Sequence, residues 1–356
     1  MNDPVLILSD THYHKFSQYA SIDANGVNSR LADTLRATEH AFRHAVAAGA
    51  SHLIHCGDTF HVRGNISPTV LNPVRDLYNK RLPELVNAHF INGNHDLETN
   101  DSKYVASAAH SLSNPHRGII VHSSPTWLNI NGFFYAMVPW ESDLTKLRAT
   151  IKSMSDQRAQ ATLILHAPLN GVIKGLPDHG LNPEEFAEYD FQRVFCGHYH
   201  NHKDYKIDEN KFVTSVGALT HQNWGDVDSL AGFVLYDPEG NRITHHETPA
   251  PKFRRVSVTK LEDHDDDWYT DNYVKVVDGE FTDPSEIDAI RNSLITKGAK
   301  AVVVEGLTRK PTASRGAHTT SSAPTLHTIL GDYMDRQYPG DEASKIEALK
   351  ILGEVL

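Results

Sequence analysis

The chain has 356 residues, 39% of them hydrophobic, enough for one large folded domain and a smaller appendage. Its formal net charge of -11 excludes a protein that grips nucleic acid through a broad basic surface, so any polyanion must be held locally, as bound divalent cations would hold it. No stretch approaches the roughly 20 apolar residues of a membrane span and no basic leader precedes the first apolar run, which predicts a cytoplasmic protein without membrane contact.

Apolar alternation predicts a first strand over residues 5–9, then a helix over 29–48, a strand over 51–56, a helix over 68–87 and a strand over 88–92. Further strands are expected at 118–122, 133–138, 161–166, 193–196, 212–216, 232–236 and 242–247. So many strands with few late helices predict an α/β protein in which two sheets pack face to face as a β-sandwich flanked by helices. The prolines of Thr248-Pro249-Ala250-Pro251 mark a boundary that closes a domain over 1–248. Residues 252–310 then form a small α+β unit with strands at 273–277 and 301–305 around a helix at 284–297. Polar residues 311–324 read as a flexible linker. Residues 325–356 read as a helical tail, with Leu326, Ile329, Leu330 and Tyr333 at helical spacing. The two cysteines, Cys56 and Cys196, each sit in an apolar run before a glycine, as buried reduced thiols do.

The predicted strands share a property that composition alone does not explain: five of them end in residues that bind metal. Asp10-Thr11-His12 follows the first strand, and residues two apart on an extended segment point to one side, so a carboxylate and an imidazole can share an ion. Gly57-Asp58-Thr59 follows the second, where glycine permits a sharp turn. Gly93-Asn94-His95-Asp96 follows the third, His166 closes 162–165, and Gly197-His198-Tyr199-His200 follows 194–196. Each piece alone is common. Their occurrence in this order, each behind an apolar strand, is not. Carboxylate, amide and imidazole donors without thiolate suit manganese, iron or zinc, whereas all-oxygen sites suit magnesium and calcium.

This ordered set resembles the calcineurin-like metallophosphoesterases. The resemblance implies their two-sheet fold and two divalent metal ions, manganese first, with magnesium, iron or zinc as alternatives. It implies that Asp10, His12, Asp58 and His200 hold one ion and that Asp58, Asn94, His166 and His198 hold the other, with Asp58 bridging. It further implies that His95 stays off the metals as the acid for the leaving oxygen and that Asp96 orients its ring.

The block Gly57-Asp58-Thr59-Phe60-His61 is similar to SbcD-type double-strand-break repair nucleases, in which the second histidine, here His61, helps handle the DNA strand. Stretches such as Val138-Pro139-Trp140, His166 to Gly171 and Gly217-Ala218-Leu219-Thr220 followed by Gly225-Asp226 are similar to phage recombination endonuclease subunits of that group. That likeness implies a DNA nuclease acting in recombination and repair, with 252–310 capping the site over DNA. It also implies a homodimer and an SbcC-type coiled-coil ABC ATPase bound through 325–356. Residues 252–310 carry ten Lys and Arg against twelve Asp and Glu, which departs from a basic DNA clamp. A phosphatase or nucleotide phosphodiesterase with the same metals, and a non-catalytic subunit retaining the fold, are the alternatives. Trp140, Trp224 and residues 13–19 are read as base-stacking or packing groups, and His14, His179 and His221 as cleft-lining or solvent-facing.

Overall fold

The computed structural model describes residues 3–61, 63, 65–82, 87–99, 107–281, 283–306 and 334. The expected linker 311–324 and, apart from Met334, the expected helical tail 325–356 lie outside the described residues.

Strand β1 (Val5–Leu8) shows in four residues how the layers arise. Leu6 and Leu8 face helices α1 (Ser29–Ala47) and α2 (Pro68–Lys80), joining Leu31, Ala41, Phe42, Val74 and Leu77 in one buried cluster. Val5 and Ile7 point the other way, into a cluster with Ile130, Tyr135, Met137, Ile164 and Phe195 of a second sheet. A strand buried on both faces has no polar alternation, which is why this run reads as uninterrupted aliphatics. Helix α1 starts where the Asn28 side chain accepts from the N–H groups of Arg30 and Leu31, and α2 starts on Pro68 at its first turn.

The first sheet continues through β2 (His52–His55), β3 (Asn87–Ile91) and β4 (Ile119–His122), all parallel to β1. The second contains β5 (Thr126–Ile130), β6 (Phe133–Val138), β7 (Ala161–His166), β8 (Phe191–Gly197), β9 (Lys203–Lys206) and β10 (Phe212–Ser215). Its order is β5-β6-β7-β8-β10-β9, with β6, β7, β8 and β10 parallel. Antiparallel β11 (Gly232–Asp237) and β12 (Arg242–Glu247) complete the first sheet as β12-β11-β1-β2-β3-β4. Helix α3 (Leu144–Gln157) covers the outer face of the second sheet through Leu147, Ile151 and Met154. The expected two-sheet sandwich flanked by helices is therefore the architecture found. Both cysteines are buried and unpaired.

A third, three-stranded sheet follows, ordered β13 (Phe253–Ser257), β14 (Tyr273–Gly279) and β15 (Ala301–Gly306), all parallel. Short α4 (Asp266–Tyr269) precedes β14, and α5 (Pro284–Thr296) connects β14 to β15. The expected β-α-β core of this region gains β13 as an extra edge strand. Among the described residues no helix is long and apolar enough to cross a membrane.

Candidate metal centre

Parallel strands present their carboxyl ends together, and in this fold the segments beyond those ends stay laced. The Asp10 N–H donates to the Gly57 carbonyl at 3.1 Å and the His12 N–H to that of Asp58 at 3.0 Å, extending the β1–β2 pairing past both strands. The His198 N–H, from the tip of β8, donates to Asp10 Oδ2 at 3.1 Å and so ties the second sheet to the first. These close approaches demand unusual backbone. Asp10, His12, Asp58 and His198 have positive φ of 51°, 44°, 54° and 114°, a region that costs of order 1–3 kcal/mol for a residue with a side chain. A Cβ at Gly93 would overlap the Asp58 carboxylate and main-chain nitrogen, so only glycine lets the third loop pass.

All seven candidate ligands come together. Asp10, His12 and His200 place one ligand atom each within 4.8 Å of one another, as do Asp58, His166 and His198, and both sets can hold a metal ion. Asp58 stands between them: its Oδ2 is 3.4 Å from His166 Nε2 and 3.7 Å from His12 Nε2. Asn94 Oδ1 lies 3.1 Å from His166 Nε2 and 3.0 Å from His198 Nδ1. The residues fit a pair of cations on two grounds. Asp10 Oδ1 is buried with no hydrogen-bond partner, a costly arrangement for a carboxylate unless a cation meets it. The Nε2 atoms of His12 and His200 face each other at 3.2 Å, close enough that one ion would meet both lone pairs once the rings are neutral.

Electrostatics point the same way. Burial favours the neutral acid at Asp58, but the adjacent His166 outweighs it and holds the carboxyl well below the usual range. Burial likewise opposes charge on His166, yet Asp58 prevails and raises it to about 9. The cluster thus draws a positive charge to its centre, and an arriving cation would displace that proton. Burial holds His12 well below its ordinary value and, with His166 nearby, lowers His198 to about 3, so both imidazoles offer lone pairs. Burial, partly offset by His166, raises the Asp10 carboxyl.

His61 and His95 sit beside this cluster. Their rings stack 5.1 Å apart with 12° between planes, and His61 Nδ1 lies 3.3 Å from His12 Nδ1. His12, His61 and His95 also bring ligand atoms within 4.8 Å of one another. His95 Nδ1–H donates to the His61 carbonyl at 2.8 Å, which leaves Nε2 as the position for proton exchange. This corrects the role expected for Asp96. Its carboxylate accepts from the main-chain N–H groups of Gly93, Thr59 and Phe60, at 2.9, 3.2 and 2.9 Å, and has no bond to the His95 ring. Asp96 knots the second and third loops together; main-chain donors outcompete an imidazole because the turn leaves them otherwise unpaired.

Other residues resolve individually. Trp140 stacks on His198, with ring centres 5.5 Å apart, and Trp224 packs against Tyr19 and Phe253. Tyr13 is core, its hydroxyl 2.7 Å from that of Thr38. His14 packs on His61 and Phe16, His179 reaches the Tyr199 hydroxyl, and buried His221 accepts from the Phe253 N–H. Sequence reading gave no role to Asp226, whose Oδ1 lies 2.9 Å from His200 Nδ1.

Among solved structures, the chain is similar to the Thermus thermophilus protein TT1561, at 13% identity and a TM-score of 0.44 over 69% of this chain and 98% of that one. It is also similar to a dimetal phosphatase from Danio rerio, at 9% identity and a TM-score of 0.39 over 65% and 91% of the respective chains. No curated protein matches it. The calcineurin-like phosphoesterase family matches residues 3–202, more than half of the chain and the stretch that supplies every candidate ligand, and the chain belongs to that family of metal-dependent hydrolases.

Proposed function

We propose that this protein is the nuclease subunit of an SbcD-type DNA end-processing system, hydrolysing phosphodiester bonds at the cluster centred on Asp58. The observation that carries the reading is the stacked pair His61 and His95 beside His12. A small phosphate ester needs one imidazole at its leaving oxygen. A polymeric diester also has strand to hold on the far side of the scissile bond, and a second imidazole there has work to do.

Asp10, His12, Asp58 and His200 would hold one cation, and Asp58, Asn94, His166 and His198 the other. Bound there, two divalent ions supply charge neutralisation of the phosphodiester and acidify the attacking water. The rest falls to the chain. The Asp58 Oδ1 accepts the His95 N–H at 2.8 Å, so the bridging carboxylate and the acid are positioned by one bond. His95, its Nδ1 committed to the His61 carbonyl, gives its Nε2 proton to the departing oxygen. His61 flanks the strand. The acidic balance of the chain supports a partner that contributes the basic grip on DNA; an SbcC-type ATPase engaging residues 325–356, and a homodimer presenting two such sites, complete the proposal.

The test is a digestion series with the full chain and manganese, using linear end-labelled DNA, circular DNA, cyclic nucleotides and phosphopeptides. Cleavage of linear DNA in preference to the small esters is the expected result. Turnover of phosphopeptides or cyclic nucleotides with intact DNA would replace this reading by a phosphatase or nucleotide phosphodiesterase.

A further inference from the structure

We infer that Asp226 is a positioning residue that fixes which nitrogen of His200 faces the metal, an inference that rests on the metal-centre reading above. The residue is 5% exposed, and its two carboxylate oxygens are differently committed. Oδ2 accepts two main-chain N–H groups, from Gln222 at 2.6 Å and Asn223 at 3.1 Å. Oδ1 is left to accept from His200 Nδ1 at 2.9 Å. An ionised carboxylate accepts only, so the proton of neutral His200 must sit on Nδ1. The lone pair is then on Nε2, the atom that lies 3.2 Å from His12 Nε2 and belongs with Asp10 and His12 in the first ligand set.

The turn that carries Asp226 is itself anchored at a distance. Buried Arg30 of α1 donates from Nη2 to the Gln222 carbonyl at 2.6 Å, with its guanidinium 3.9 Å above the Phe16 ring. Trp224, in the same turn, packs 4.8 Å from Phe253 of β13, and Lys275 of β14 lies 4.9 Å from the Trp224 ring. The third sheet therefore braces the loop that sets the His200 tautomer.

This arrangement makes a substitution of nearly equal size discriminating. In Asp226→Asn the two main-chain donors select the amide oxygen, which turns the NH2 toward His200. The ring must then accept at Nδ1 and carry its proton on Nε2, where it blocks the metal.

Long-range proton–nitrogen spectra of the metal-free full chain, recorded at alkaline pH where the ring is neutral and assigned with His200→Gln, read the tautomer directly. The expected result is Nδ1–H in the wild type and Nε2–H in Asp226→Asn. Calorimetric titration with manganese is expected to give two sites in the wild type, with one weakened about 10- to 100-fold in Asp226→Asn and the other little changed. Wild-type His200 protonated on Nε2 overturns the inference without recourse to any variant, so a folding defect in Asp226→Asn leaves it testable. An Asp226→Asn protein that keeps the wild-type tautomer or the wild-type isotherm also overturns it. Since the tautomer is read without substrate, absence of nuclease activity would refute the proposed function and leave this result standing.

Discussion

His95 is the side chain on which the proposed chemistry turns, because its main-chain N–H donates to the Asp58 carboxylate while its ring stays outside both proposed ligand sets. His95→Asn should lower kcat by about 10²- to 10⁴-fold, the usual contribution of a positioned acid, while metal content measured by mass spectrometry stays at the wild-type level. Loss of metal along with activity would make His95 a ligand instead. The Asp58 and His166 pair gives a second expectation. A depressed carboxyl stabilises the fold above the unfolded value of 3.8, and a raised imidazole stabilises it below 6.5 and loses that contribution as pH climbs through about 9. Buried imidazoles with lowered values, such as His12 and His198, are neutral in both states over that upper window and add no slope. The melting temperature of the chelator-treated protein should fall between pH 6.5 and 9, and excess manganese should abolish the fall; a flat profile in the metal-free protein would contradict the assignment.

At the scale of elements, the site is an outcome of how strand ends are turned. Leu8, His55, Ile91, His166 and Gly197 each close a parallel strand, and the residues just beyond must leave the sheets in directions that the left-handed backbone of Asp10, His12, Asp58 and His198 provides. Such strain persists only where surrounding bonds over-determine it, here the Asp96 knot and the extended β1–β2 lacing. Gly93→Ala tests this arrangement. Its Cβ would displace Asp58, and we expect manganese binding to be lost at both sites together with about 1–3 kcal/mol of stability, measured by calorimetry and denaturant titration. Asn28→Ala, at the start of α1 and away from the cluster, should cost about 1 kcal/mol and leave metal binding intact.

For the molecule as a whole, charge decides the character of any nucleic-acid complex. A chain of net charge -11 releases few counterions on binding, so the logarithm of its DNA affinity should fall with the logarithm of salt at a slope below about 3 in magnitude, and removing the metal should abolish binding. A steep slope in equilibrium binding at several salt concentrations would point to a basic surface of which the composition carries no sign. The third sheet and the turn before β15 are tied to helix α1 by Lys300, whose Nζ lies 2.9 Å from Asp33 Oδ2, and by the contacts of Arg30 with the Phe253 and Tyr273 rings.

Much of this is legible in the chain alone. Strands buried on both faces, such as β1 and β7, announce themselves as aliphatic runs, and the ligand types that follow them stand out against that background. Elements whose burial is partial do not: β9, reading Lys-Asp-Tyr-Lys, and β13, interrupted by Arg254 and Arg255, have no alternation to detect, whereas α3, with Leu144, Leu147, Ile151 and Met154 at helical spacing, does carry a legible pattern. The set of ligand-type side chains and their order follow from residue pattern, because local hydrophobicity fixes strands and strands fix where those side chains emerge. Which atom each side chain meets is settled only when the sheets and loops pack. Asp96 went to three main-chain donors and Asp226 to His200, since a polar group's partner is whichever unsatisfied donor or acceptor folding brings within reach. Asp96 and Thr59 are 37 positions apart and Asp226 and His200 are 26 apart, and separations of that size leave no local signal of the choice.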